Sequence, residues 1–594
     1  MRYGPSFTSI CINQNSLFPI EGKHVRNEKL GGGIELKHGH YQSVRPCSSR
    51  DYSLAMIVDK KVSAFYPSMS VIDFLCDYFG IPINSDTQFK HHKLLDKMRL
   101  GDVRKQVSNL ISGITVNTFH IRGEKRPYKK CSGLSSIPAK QINSGATPLV
   151  KYFYQTHEII LDYDNLPCLT FERTNGTTNL PLEVCWIAEN QRYVGVLPPA
   201  QNREMIKRTA IPPKERLNEV YGLQKAIVEQ SSTFMTEFGI QAESTPLRAL
   251  GKLCATPSLL YGNQTVKPTA GQGSWNPGQL LSKPAQIAVW YMINLDSKYD
   301  DVSFRKFADG LYKKGKQLGL TIQQPPVCKS LKYEGESTVD MIFERTKQAS
   351  IVVWIVGQDL ESFLYGKIKS KVETGDTGEN YAVSQFIRSE TARKLNNVTF
   401  GNIMIKINVK LGGNNQLLDT QKVPLILRKD CKTMIIGADV THHTPADRTE
   451  SYVSGPCRLE YSIAALVGTT DDTFFNYYTA TRVQLKEKLE MITQFGEMFE
   501  EVLRYYFENN QTLPEHIIYY RDGVSEGQFN SVRDEEYRQM RDLFSNSLEL
   551  FGVENYEPKV VIVIVQKRHN NRFRPQFDKD GIGRHKNVPA GWLS

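Results

Sequence analysis

The chain has 594 residues and a mass of 67.6 kDa, with 40% hydrophobic and 23% charged residues, a globular rather than a disordered balance. Its 74 Lys and Arg against 63 Asp and Glu leave a net charge of +11 and a pI near 8.9, which favours a polyanionic partner without requiring one. The longest apolar runs, Ile287–Ile293, Ile351–Val356 and Val560–Val565, fall far short of the about 20 residues of a membrane helix, so no membrane partner is expected.

At roughly 150 residues per domain the length suggests about four domains. The N-terminal residues lack the apolar core of a signal peptide. The 10 cysteines include no CxxC pair, which argues against a zinc knuckle or redox dithiol and fits a reducing, intracellular compartment. In chain order, Gly31–Gly33 breaks a region of short apolar stretches, and Ser70–Phe79 has helical spacing. Residues 116–200 read as short strands broken by Gly, Pro and Asn, including Tyr152–Tyr154, and predict a small β-rich barrel or sandwich. The later part of 201–285, rich in Pro and Gly, reads as a linker. From Ala285 onward strands and helices alternate, which predicts α/β architecture. The predicted strands are Ile287–Ile293, Ser350–Val356, Thr433–Ala438, Ser462–Gly468, His516–Tyr520 and Val560–Val565. Phe304–Leu318 and Leu485–Phe507 have helical spacing, while Ile403–Lys410 fits either period.

Two of these strands end in an aspartate followed by turn chemistry, one at Asp439 and the other at Asp522. Ligands in α/β sheets bind beyond the carboxyl ends of strands. If the two strands are neighbours, the carboxylates face each other and need a proton or cation between them. Magnesium suits that arrangement, taking hard oxygen ligands and leaving positions for phosphate, and a metal pair can cleave a phosphodiester. The plainer use of either aspartate is a helix N-cap. Val560–Val565 ends in Gln566-Lys567-Arg568-His569, with Arg572 and Arg574 beyond, cations suited to a phosphodiester backbone or to an ordinary basic loop. Tyr365, Lys369, Gln385, Lys406 and Lys410 form another group. Lys406 and Lys410 share a face at either period, and a terminal phosphate or solvent can balance them. Tyr128, Lys129, Lys130, Tyr152, Tyr154 and His157 interleave aromatics with cations, a mixture for single-stranded nucleic acid or, for some, a tyrosine-rich core.

The segments Gly437-Ala438-Asp439-Val440-Thr441-His442, Tyr520-Arg521-Asp522-Gly523-Val524-Ser525-Glu526-Gly527-Gln528-Phe529 and Gln566-Lys567-Arg568-His569 resemble the Piwi domain of eukaryotic Argonaute proteins. Gly31–Gly33 through Pro46 resembles the family's first linker, Leu166–Leu169 with Leu180–Cys185 its PAZ domain, and Lys406–Gly413 the end of its Mid domain. The resemblance implies a multidomain α/β protein with a small β-barrel. Its parts would be a first linker at 1–115, a PAZ barrel at 116–225, a second linker at 226–280, a Rossmann-like Mid domain at 281–415 and a ribonuclease H-like Piwi domain at 416–594.

It further implies a small guide RNA held at both ends and paired with complementary target RNA, in the company of silencing-complex proteins, in the cytoplasm and, as a second location, the nucleus. Tyr365 would stack on the first base, and Lys369, Gln385, Lys406 and Lys410 would hold the 5′ phosphate. Tyr128, Lys129, Tyr152 and His157 would hold the 3′ end, with His157 where the family often has Tyr. Lys567, Arg568 and Arg572 would follow the guide backbone. Asp439, Asp522 and Glu490 match the family's catalytic acids, the two aspartates as Mg2+ ligands. Taken alone, Glu490 would be a helix charge paired with Lys486. The family pattern extends beyond both ends of this sequence, so the expectation is an Argonaute cut short, its fourth metal ligand outside 1–594. Guide binding is then the leading function, Mg2+-dependent guide-directed cleavage the alternative, and a product without function the third possibility.

Overall fold

The computed structural model describes the chain apart from residues 1–8, 13–14, 21–24, 48–53, 100, 122–123, 129, 174–175, 194–196, 278–279, 358–360, 375–380, 443–460, 486–489, 568 and 594. The described residues form two compact units, one built from 1–250 with 568–588 and the other from 251–442, 459–567 and 589–594.

In the first unit a long antiparallel ribbon pairs β1 (Glu35–Pro46) with β2 (Leu54–Phe65). Helix α1 (Val71–Phe79) follows, its first turn capped by the Ser70 hydroxyl, which accepts the Asp73 N–H at 3.0 Å. Beyond two further helices, Thr87–Met98 and Gly101–Ile111, come short strands, among them β3 (Val116–Thr118), β4 (Arg126–Tyr128), β5 (Gly133–Pro138), β6 (Pro167–Arg173), β7 (Gly176–Pro181) and β8 (Cys185–Ile187). These six make two antiparallel three-stranded sheets, in the orders β8-β3-β4 and β7-β6-β5. Leu36, Phe74, Leu75, Leu169 and Ile187 share one core across ribbon, helix and sheets. Between β5 and β6 lies α2 (Leu149–His157), so Tyr152–Tyr154 sits on a helix and not in a strand, and α3 (Pro213–Gln230) follows beyond β8. The residue before it is Pro148, which starts a helix readily because its missing N–H has no helical partner to lose.

Two larger sheets organise the second unit. The first is fully parallel, in the order β10 (Val327–Ser330), β9 (Trp290–Asn294), β11 (Ile351–Val356), β12 (Val383–Arg388). The uninterrupted apolar run of β11 has a direct cause. Ile351, Val353 and Ile355 enter the core beneath α4 (Asp301–Gln317) and α6 (Asn397–Lys410). Val352, Trp354 and Val356 enter the opposite core with Leu364 and Ile368 of α5 (Glu361–Thr374). A strand covered on both faces has no solvent side on which to place polar residues. The ambiguous stretch Ile403–Lys410 is the end of helix α6, whose N-cap Asn396 accepts the Thr399 N–H at 2.8 Å.

The second sheet runs β15 (Tyr477–Gln484), β14 (Ser462–Thr469), β13 (Thr433–His442), β16 (His516–Asp522), β17 (Lys559–Val565). The first three strands form an antiparallel meander, and β13, β16 and β17 are parallel. Helices α7 (Phe495–Asn510) and α8 (Phe529–Ser545) cover it, burying Phe499, Val502 and Leu503 against Met540 and Phe544. The predicted helix Leu485–Phe507 is helical from Phe495, with 490–494 outside the helix and 486–489 outside the described residues. Leu485 is exposed, and the Thr493 N–H just before the helix is held at 2.9 Å by the Gln484 side chain at the end of β15.

Candidate nucleic-acid and metal sites

Parallel pairing of β13 with β16 sets Gly437 opposite Tyr520 and Ala438 opposite Arg521, so Asp439 and Asp522 each come one step later on adjacent strands. Neither aspartate heads a helix, and of the two Asp522 ends its strand whereas β13 runs on past Asp439 to His442, held there by its pairing with β14. The Lys567 ammonium, just beyond β17, lies 2.5 Å from Asp522 Oδ2 and 3.9 Å from Asp439 Oδ2. Gly523 follows in the left-handed conformation (φ +85°), and a Cβ there would stand 3.2 Å from Asp439 Oδ1 and 3.6 Å from Glu490 Oε2. Glycine is needed for that turn and for the space between the carboxylates. Glu490 lies outside α7, and its proposed helix partner Lys486 lies outside the described residues. Its carboxylate meets His442 instead, with Nε2 2.9 Å from Oε1, while His442 Nδ1 is 2.8 Å from the Ser462 hydroxyl.

Behind these groups lies a buried ion pair. Arg521 Nε donates to Glu536 Oε1 at 3.1 Å, and the Tyr519 hydroxyl donates to Oε2 at 2.6 Å. The same guanidinium donates to the main-chain carbonyls of Asp522 and Glu490, so one side chain holds the backbone at two of the three acids. His442, Arg521 and Glu536 were not singled out from the sequence as site residues. For Arg521 the signal was present, a charge directly after the apolar and aromatic run Ile517–Tyr520.

The donor set suits a hard divalent ion, since Asp439 and Asp522 offer carboxylate oxygens and already share a cation, the Lys567 ammonium. Among the described residues no three His, Cys, Asp or Glu side chains converge closely enough to hold a metal as they stand.

The second group forms around β12. Lys410 Nζ, at the last residue of α6, donates to the Ser384 carbonyl at 2.8 Å, and Lys369 Nζ of α5 approaches the same oxygen at 3.5 Å. Gln385 is buried, donates to the Phe386 carbonyl at 2.6 Å and leaves its Oε1 without a protein partner. The Tyr365 ring is half exposed and stands edge-on to Phe386 at 5.1 Å between centroids. Lys406 is exposed one turn before Lys410. Two ammonium groups, a buried amide and an available ring are the components that bind a terminal phosphate and stack its base.

In the first unit, α2 brings Tyr152 and His157 within 5.5 Å between ring centroids, and His157 stands edge-on to His120 at 4.8 Å. Tyr128 lies instead against Phe171 and beneath Arg173. Lys129 and Arg568 lie outside the described residues. Arg572 donates to the buried Asp59 at 2.8 Å, a carboxylate it shares with Arg216. His120 was not anticipated; an isolated histidine carries no pattern. Burial, with His157 and Arg126 nearby, pushes its imidazole down to about 4.

The sign of the resulting pH dependence is fixed. A histidine held neutral in the fold costs stability wherever the unfolded chain takes up the proton, so stability is lost as pH falls from about 6.5 towards 4. Because the ring is only half buried, solvent screens part of the effect and the loss is about 1–2 kcal/mol. Urea unfolding of the first unit at about pH 7 and about pH 4.5 should show this loss, and His120→Phe should shrink it.

An aromatic-lined β domain, a parallel-sheet domain with converging lysines and a ribonuclease H-like sheet with paired aspartates define a protein that handles nucleic-acid strands. The Argonaute linker 1 domain matches residues 14–67, the PAZ domain residues 89–206 and the Piwi domain residues 351–593. The chain belongs to the Argonaute/Piwi family of guide-nucleic-acid-binding proteins. Its fold is that of a solved Kluyveromyces polysporus Argonaute with a guide RNA, with TM-score 0.67 and 18% identity over 98% of this chain and 67% of that one. Drosophila Piwi superposes with TM-score 0.59 and 17% identity, over 98% of this chain and 70% of that one. For Clostridium butyricum Argonaute bound to a guide DNA and a 19-mer target DNA, the values are 0.51 and 15%, over 96% and 71%. The ribonuclease H-like Piwi domain is of a type that generally uses divalent metal. Among the described residues no helix is long and apolar enough to cross a membrane.

Proposed function

We propose that this protein holds a short single-stranded guide RNA by its two ends and pairs it with complementary RNA in gene silencing, in the cytoplasm or nucleus and together with other silencing proteins. The observation that carries the reading is the convergence of Lys369 and Lys410 on one carbonyl beside the half-exposed Tyr365. A 5′ phosphate presents several strong acceptors to those donors, and the first base finds a ring to stack on. The Tyr152, His157 and His120 rings are the corresponding aromatic group for the 3′ end. In a filter-binding assay, 5′-phosphorylated RNA should bind at least about 30-fold more tightly than its 5′-hydroxyl counterpart, the scale of two charge-assisted hydrogen bonds partly open to solvent. Equal affinities would remove the proposal.

The second reading, Mg2+-dependent cleavage of the paired strand, is favoured by the placement of Asp439 and Asp522 on adjacent parallel strands. Those two carboxylates would hold Mg2+, with Glu490 beside them. Bound there, the metal supplies charge for a reacting phosphodiester. The chain's own residues supply the positioning: Arg521 fixes the Asp522 and Glu490 backbones, and His442 orients the Glu490 carboxylate.

A further inference from the structure

The cation that neutralises the aspartate pair in this structure belongs to the protein. Lys567 Nζ reaches both carboxylates, 2.5 Å from Asp522 Oδ2 and 3.9 Å from Asp439 Oδ2. Its backbone is kept in place by Gln566, which donates to the Val524 carbonyl at 3.2 Å and so ties the end of β17 to the turn that follows Asp522. The Lys567 side chain is 70% exposed, so it can leave without opening a cavity. Asp522 is far more enclosed, at 16%, and cannot turn away to water as easily.

We propose that Lys567 is an internal competitor for the divalent metal. Its ammonium occupies the place between Asp439 and Asp522 until a metal ion displaces it. The inference rests on reading the aspartates as a metal site. The physical reason is direct: a monovalent cation at contact distance from a carboxylate screens it from a second cation, and loading the metal must first break that contact. An ammonium cannot replace a divalent ion in charge or in coordination number, so the exchange favours the metal once its concentration is high enough. The chain thus sets a threshold for metal loading, and any phosphodiester that draws Lys567 away lowers it.

The test is equilibrium binding of Mn2+ to the full chain, read by the loss of the free-ion electron paramagnetic resonance signal. Wild type, Lys567→Met, Lys567→Gln and each of these with Asp522→Ala are compared. Two neutral replacements are used so that a folding fault in one does not decide the matter, and melting curves check both. Removing the ammonium should tighten Mn2+ binding about tenfold, and Asp522→Ala should abolish the gain. Affinity that is unchanged or weaker in both neutral variants, with binding still dependent on Asp522, overturns the competition and leaves the metal-site reading intact. Absence of Asp522-dependent Mn2+ binding in every protein overturns both.

Discussion

Replacing Arg521 by Met should destabilise the second unit by about 3–5 kcal/mol, the cost of leaving a buried charge without its partner. The side chains of Arg521 and Glu536 are 0% and 1% exposed, and their contact is 3.1 Å. Burial raises the Glu536 carboxyl, against the pull of Arg521 and the Tyr519 hydroxyl. Without the guanidinium that rise grows. For an acid whose folded value lies above its unfolded one, stability is present at low pH and lost as pH climbs through the folded value. The Arg521→Met defect should therefore be larger at neutral pH than at about pH 5. Urea unfolding at the two pH values measures this, with hydrogen exchange in β16 locating the effect. Adding Glu536→Leu and Tyr519→Phe should recover most of the lost stability, because an apolar trio leaves no buried charge. It should not restore the anchorage that the guanidinium gives the Asp522 and Glu490 carbonyls. A loss below about 1 kcal/mol in Arg521→Met would mean that water already solvates Glu536.

The same ion pair shows where sequence reading stops. Arg521 and Glu536 are 15 residues apart, one on a strand and one on a helix, and only the packing of α8 on the sheet joins them. Asp439 and Asp522 were legible because each follows an apolar run, and parallel pairing then brings them together, although β13 continues beyond Asp439 and β16 stops at Asp522. The paired sheets of 285–594 were legible for a similar reason: Ile351–Val356 is apolar throughout, as a strand covered on both faces must be.

Helix boundaries were less so. Ile492, Phe499, Leu503 and Tyr506 are buried as their spacing predicts, yet Leu485 is exposed, because the Gln484 side chain caps Thr493 and holds the chain off the helix. The two possible periods of Ile403–Lys410 were decided by Asn396, a capping residue upstream of the ambiguous window. Tyr152–Tyr154 has strand-like composition but a helical conformation, a case of context overriding a weak propensity. His120 and His157 lie in separate elements, and neither announces the other.

Lys369→Ala combined with Lys410→Ala should weaken binding of 5′-phosphorylated RNA by about 2–4 kcal/mol, roughly 30- to 1,000-fold, and change binding of 5′-hydroxyl RNA little. These two lysines, rather than Lys406, are chosen because their ammonium groups approach the same Ser384 oxygen. They come from different helices, and Lys410 stands at the C-terminus of α6, where the helix dipole favours a cation whether or not a ligand is present. An arriving phosphate offers both ammonium groups one charged acceptor, and neither has to be brought into place, since both already point at the same oxygen. The range takes less than the full sum of two charge-assisted bonds, because part of each ammonium faces solvent. Salt separates this pocket from general attraction. Loss of backbone contacts lowers the salt dependence for both RNAs alike, whereas loss of a terminal-phosphate pocket affects only the phosphorylated strand. Tyr365→Ala provides the complementary pattern, weakening both RNAs by about 1–3 kcal/mol, since stacking does not depend on the phosphate. Equal losses for the two RNAs in the double-lysine variant would assign Lys369 and Lys410 to the backbone rather than to the end of the strand.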